Sequence, residues 1–131
     1  MSQENVEIVR SHIDAFLHDA ARSVSFLDPH VVMDPSRVGG PDAAYGHEAV
    51  VRAVRRWLGA FEEYSYKVER VRDLGAGGIL ALVTETGRGK ASGAPGQRTF
   101  ANLYTLIEGK IVRMTVFPTE AQALEAIGLS E

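Results

Sequence analysis

Helices first and a sheet second: this order predicts an α+β fold in which a curved antiparallel sheet wraps around N-terminal helices. Three features of the 131-residue chain point to it. Up to residue 61 the apolar residues recur at spacings of three and four, as on one face of a helix. From residue 64 onward, runs rich in β-branched and aromatic residues are separated by glycine-containing turns. The two kinds of segment never interleave in the strand–helix–strand rhythm of a parallel sheet.

Each element follows from its own pattern. Residues 4–19 set Val6, Val9, Ile13, Phe16 and Leu17 on one helical face, with Glu7, Arg10, Ser11 and Asp14 between them. A short second helix is expected around residues 23–27, ended by Asp28-Pro29 because the residue before proline avoids the helical region. Residues 30–34 read as a strand closed by Pro35, and the Gly-, Pro- and Asp-rich residues 36–46 as a loop. A second long helix over 47–61 carries Val50, Val51, Val54, Trp57, Leu58 and Phe61 opposite Arg52, Arg55 and Arg56. Four strands over 64–74, 79–86, 98–107 and 110–117 then form a meander, divided by Gly75-Ala76-Gly77-Gly78, by residues 87–96 and by Glu108-Gly109. In residues 119–128, Thr119 at the N-cap, Gln122 three positions on and a closing Gly128 mark a terminal helix. No internal repeat or linker divides the chain, so a single domain over residues 1–131 is expected.

Composition limits the function. A net charge of −3, with Arg interleaved among Glu and Asp, lacks the basic excess that nucleic-acid binding requires. The absence of cysteine removes disulfides, thiolate catalysis and thiolate-held metals. The polar start Ser2-Gln3-Glu4-Asn5 does not resemble a secretory signal, and no apolar run reaches membrane-spanning length. A cytoplasmic protein without membrane contact is expected. His12, His18, His30 and His47 show no spacing that would gather two of them on a metal. Gly87-Arg88-Gly89-Lys90 lacks the strand-to-helix setting that aims backbone amides at a phosphate.

Alternation groups Phe100, Asn102 and Tyr104 on one face of their strand, and Val112, Met114 and Val116 on one face of the last. A sheet of four or five strands twists and curls, and a helix bearing Trp57 and Phe61 against its concave side leaves space between them. Phe16, Val32, Trp57, Phe61, Phe100, Tyr104, Met114 and Val116 are thus expected to line a pocket for a small hydrophobic molecule. The same stripes also describe an ordinary core. Asp34 sits at the end of its strand, either as an acid facing the pocket or as a turn acid beside Pro35.

Four stretches carry a resemblance across essentially the whole chain. They are the helix over residues 6–17, the strand end Val31-Val32-Met33-Asp34-Pro35, the turn Tyr45-Gly46-His47-Glu48-Ala49-Val50, and the hairpin Leu106-Ile107-Glu108-Gly109-Lys110-Ile111-Val112. In order and spacing they resemble the SnoaL-like branch of the nuclear transport factor 2-like superfamily, which includes ketosteroid isomerases and polyketide cyclases. That resemblance implies a cone-shaped, cystatin-like fold with one internal pocket, no cofactor and a homodimer formed through the outer sheet face. It places Asp34 where ketosteroid isomerases keep their proton-shuttling carboxylate. Their protonated aspartate, one of two donors to the dienolate oxygen, is matched by Asn102. Their donor tyrosine falls at or near His12. The expected activity is cofactor-independent isomerase- or cyclase-like proton transfer on a small apolar carbonyl compound, with Asp34, Asn102 and His12 as the catalytic set. The alternative is a non-catalytic ligand-binding or dimerisation module of the same fold.

Overall fold

The computed structural model describes residues 2–128. Helix α1 spans Ser2–Ala15 and helix α2 Ala20–Ser25, the latter capped by Asp19, whose side chain accepts from the Arg22 amide. Strand β1 (Leu27–Asp34) leads through a single 3-10 turn (Ser36–Val38) to the two-residue strand β2 (Ala44–Tyr45) and helix α3 (Gly46–Gly59). Strands β3 (Phe61–Gly75), β4 (Gly78–Gly89), β5 (Pro95–Ile107) and β6 (Lys110–Phe117) make the meander, and α4 (Glu120–Ala126) follows. Thr119 caps α4 as its sequence pattern requires, accepting from the Gln122 amide at 3.1 Å.

The six strands form one sheet in the order β2-β1-β6-β5-β4-β3. Every pairing is antiparallel except β1 with β6, which run parallel from Leu27↔Ile111 to Asp34↔Thr115. The wholly antiparallel sheet expected from the pattern is therefore a mixed one. Side-chain alternation fixes which face is buried but carries no strand direction. β1 also starts three residues earlier than expected and takes in Pro29, which the β1–β6 pairing passes by an irregularity between Leu27 and Val32. The helix expected to run to residue 61 stops at Gly59, and Phe61 opens β3 instead.

β3 breaks register at three points, between Glu62 and Ser65, Val68 and Arg70, and Asp73 and Gly75, while β5 does so between Thr105 and Leu106. Such bulges bend and twist a strand, and here they curl the long strands around the helices. Two-residue turns join β3 to β4 through Ala76-Gly77 (φ 50° and 83°) and β5 to β6 through Glu108-Gly109 (φ 49° and 76°). Positive φ at both positions is the hairpin geometry that matches strand twist.

The sheet has a core on each face. On the concave side Val9, Ile13 and Val50 from the helices pack with Ile79, Ala81, Val83, Phe100, Tyr104, Leu106 and Val116. On the convex side α4 supplies Ala123 and Leu124 to Leu80, Ala101, Leu103 and Phe117. The helices therefore cover both faces, where the order of elements had placed them on one. Glu120 ties α4 to β3 through Arg70 and Arg72.

Candidate functional site

Between the concave face and the three leading helices lies a cavity of about 450 Å³. The two-residue period of the strands decides its wall. β4 points Ala81, Val83 and Glu85 inward, β5 points Phe100, Asn102 and Tyr104 inward, and the register sets Asn102 opposite Ala81 and Phe100 opposite Val83. Tyr64 and Tyr66 from β3, Met114 and Val116 from β6, Val31 and Met33 from β1, His12 from α1, Phe16 from the turn after it, and Val50, Val54 and Trp57 from α3 complete most of it. The wall is mainly apolar, so each polar group in it stands out.

Glu85 is 5% exposed. Its Oε1 accepts from the Trp57 indole at 2.9 Å and from the Tyr64 hydroxyl at 2.5 Å, while Oε2 has no hydrogen-bonding partner. Two donors converging on one oxygen hold the carboxylate as an acceptor. Burial, reinforced by this bond to Glu85, pushes the Tyr64 phenol far above its usual range, so it keeps its proton and donates. Rings continue from this point: Trp57 and Tyr64 flank Phe61, which lies behind the wall, at 5.2 and 5.5 Å, Tyr64 stacks on Tyr66 at 6.4 Å, and Tyr66 meets Phe16 at 5.2 Å.

The second polar cluster centres on Asn102, 3% exposed. Its Nδ2 donates to the Tyr66 hydroxyl at 2.9 Å, and its Oδ1 has no partner. The Tyr104 phenol interacts with the same amide. Burial holds the Tyr66 and Tyr104 phenols well above their usual range. Tyr66 thus receives one hydrogen bond and keeps its own proton to give.

His12 stands beside this cluster, edge-on to Tyr104 with ring centroids 6.0 Å apart. Its Nδ1 lies 2.9 Å from the Ser23 carbonyl oxygen. A carbonyl only accepts, so Nδ1 carries the hydrogen and Nε2 keeps the basic lone pair. The Ser23 hydroxyl donates to the His12 carbonyl at 3.2 Å, which locks the two helices at this point. Burial lowers the imidazole pKa below 6.5, against the opposing effect of the Ser23 bond. The ring is neutral at neutral pH.

His12, Phe16, Trp57, Phe100, Asn102, Tyr104, Met114 and Val116 all lie on the cavity wall, and Asp34, Val32 and Phe61 do not. The Asp34 carboxylate turns back on its own chain, accepting from the Ser36 hydroxyl at 2.6 Å and the Ser36 amide at 3.0 Å, and faces Arg113 at 3.6 Å. The Ser36 bonds hold its pKa below the ordinary value, the reverse of the rise expected for a base in an apolar pocket. Alternation along β1 explains both strand residues: Val31 and Met33 point in, so Val32 and Asp34 point out. Phe61, belonging to a strand instead of the helix, packs over Gly87 and behind Trp57. Glu85 and Tyr66 are the residues that sequence reasoning left unassigned. The signal for Glu85 was present, as an acid in phase with Ile79, Ala81 and Val83 on an apolar face. Among the described residues no three His, Asp or Glu side chains converge as a metal site.

The model of the SnoaL-like domain matches residues 9–114. The chain belongs to the SnoaL-like domain family. Solved structures agree on the fold of this SnoaL-like domain. A nuclear transport factor 2-like protein from Burkholderia thailandensis superposes with a TM-score of 0.79 at 23% identity, over 94% of this chain and 96% of that one. A protein assigned as a SnoaL-like polyketide cyclase from Jannaschia gives 0.78 at 19% identity, over 95% and 91%. An LEH-like epoxide hydrolase from M. tuberculosis gives 0.69 at 15%, over 88% and 83%. No curated protein matches the SnoaL-like domain in sequence. No helix among the described residues is long and apolar enough to cross a membrane.

Proposed function

We propose that this SnoaL-like domain is an enzyme that moves a proton on a small, largely apolar carbonyl compound held in the concave cavity, without a cofactor. The observation that carries the reading is the juxtaposition of a neutral, half-buried His12 with the Asn102–Tyr66–Tyr104 cluster in a mainly apolar wall. His12 Nε2 is the base in place of Asp34, and the proton it takes is returned to another carbon or oxygen of the same molecule. The Tyr66 hydroxyl, polarised by the Asn102 amide, and the neighbouring Tyr104 hydroxyl donate to the oxygen on which negative charge develops. Donors fixed in advance in a water-poor site stabilise that charge without reorganising. A general base acts in its unprotonated form, and the lowered pKa of His12 favours that form.

The polyketide cyclase relative suits the same chemistry, since cyclisation of a polyketide proceeds by proton removal and placement. The epoxide hydrolase relative suggests water addition instead. Here the buried acid, Glu85, has no arginine within ion-pair distance among the described residues, and its donors are an indole and a phenol. The arrangement therefore favours enolisation over hydration.

The test is solvent deuterium exchange at the carbon next to the carbonyl, followed by NMR over a panel of cyclic ketones, enones and polyketide mimics. The wild type is expected to exchange at least one of them, with a rate that rises with pH to a plateau and a midpoint below 6.5. His12→Gln should lose about a hundredfold or more, whereas Asp34→Asn should stay within about threefold of wild type, its carboxylate lying outside the cavity. Equal loss in both variants would return the base to Asp34. No exchange by folded wild type over the whole panel would leave a binding module.

A further inference from the structure

We propose that the Glu85 end of the cavity is a recognition site for a protonated amine, so that the ligand of this domain carries an ammonium group as well as its apolar body. The inference rests on the cavity being the ligand site and adds a substrate class to it. Glu85 is a buried acid with no basic side chain within ion-pair distance among the described residues, so a cation arriving in the cavity would offset the cost of burying its charge. Its natural partner is in place but unused. Arg98 sits directly opposite on β5, where cross-strand side chains readily meet, yet its guanidinium lies 4.7 Å over the Phe100 ring and donates to the Val38 carbonyl at 3.1 Å. Arg55 and Arg56, which also border the cavity, are exposed.

The surroundings of the carboxylate match a cation better than a neutral group. Trp57 and Tyr64 hold Oε1 and leave the buried Oε2 unpartnered, and from Tyr64 the aromatic rings continue through Tyr66 to Phe16. Aromatic faces attract a desolvated ammonium through their quadrupoles, and once the carboxylate turns its buried Oε2 toward the cavity, that oxygen accepts the N–H in a charge-assisted bond. A neutral hydroxyl would satisfy Oε2 but gain little from the rings.

The protein carries its own reporter, since Trp57 is its sole tryptophan and donates directly to Glu85. Binding of two molecules of like shape is to be followed through the Trp57 fluorescence and indole N–H resonance at neutral pH. The first is N,N-dimethylbenzylamine, which is protonated there, and the second is benzyl methyl carbinol, its neutral hydroxyl counterpart. The amine is expected to bind wild type about tenfold more tightly or better. In Glu85→Gln the preference should shrink to about twofold or less. The carbinol binding as tightly as the amine, or no amine binding, would overturn the inference on the wild type alone, whether or not the variant folds. So would a preference that survives intact in a folded Glu85→Gln protein. The deuterium-exchange assay on the same samples separates the two readings. Exchange without amine preference removes only the ammonium site, and amine preference without exchange removes only the proton transfer.

Discussion

Two acceptor atoms, Glu85 Oε2 and Asn102 Oδ1, are buried without partners in the cavity wall. Each costs about 1–3 kcal/mol when left unmatched, so the cavity is destabilised where it is most specific. His12 adds a cost of another kind. Its pKa is lowered on folding, so below 6.5 the unfolded chain takes up a proton that the folded ring resists. Stability on this account is flat above that value and falls as the pH drops through it toward the folded pKa. Urea denaturation at several pH values should therefore show His12→Gln losing less stability than wild type on acidification. At this scale the sequence was only partly legible. Strand alternation puts Asn102 on one face with Phe100 and Tyr104, whereas His12 is singled out only by the family resemblance. Glu85 is visible in the sequence only as a strand acid, and its inward direction shows only when the phase of its neighbours is followed. Asp34 stays open between pocket acid and turn acid in the sequence, because the order of residues around Pro35 says nothing of the Ser36 bonds that turn its side chain away.

Among the elements, the hairpins and bulges place the site. The bulge at Glu62/Ser65 holds Glu63 at a φ of 53° and delivers Tyr64 to Glu85. The β3–β4 turn is as strictly built. A Cβ at Gly77, whose φ is 83°, would lie 2.5 Å from the Leu106 carbonyl oxygen, and that residue's amide donates to the Gly77 carbonyl at 2.9 Å. Gly77→Ala meets both a left-handed backbone and a neighbouring strand. It is expected to cost about 2 kcal/mol or more in urea denaturation, with the cavity chemistry unchanged once folded. Hydrophobic period and glycine turns made the meander and both long helices legible to within a few residues. The ends were less so. Phe61 continues the apolar face of α3 in the sequence, yet the chain has already left the helix at Gly59, because packing against Gly87 and Trp57 claims that ring for the sheet.

For the molecule as a whole, the two faces of the sheet do different work. Part of the convex face is covered by α4, while the concave face keeps open a volume that its apolar wall would otherwise close. Stripes of Phe, Trp and Val cannot announce this difference from sequence, since core and cavity wall demand the same residue types. Val54→Phe separates the two roles. In a filled core the added bulk would cost about 1–3 kcal/mol, whereas here it should leave the melting temperature within a few degrees of wild type and lower ketone exchange about tenfold or more by taking ligand space.

The parallel pairing of β1 with β6 has a consequence for the order in which the molecule is made. Strand β1 emerges early from the ribosome, but the backbone groups it offers on one side wait for Ile111 to Thr115, among the last parts of the fold to be synthesised. Until then the first helices and β1 have no sheet to close upon, and the meander of β3 to β6, held by neighbouring hairpins, is free to assemble ahead of them. The helical half of the cavity therefore arrives first in time and waits for the sheet wall onto which it docks.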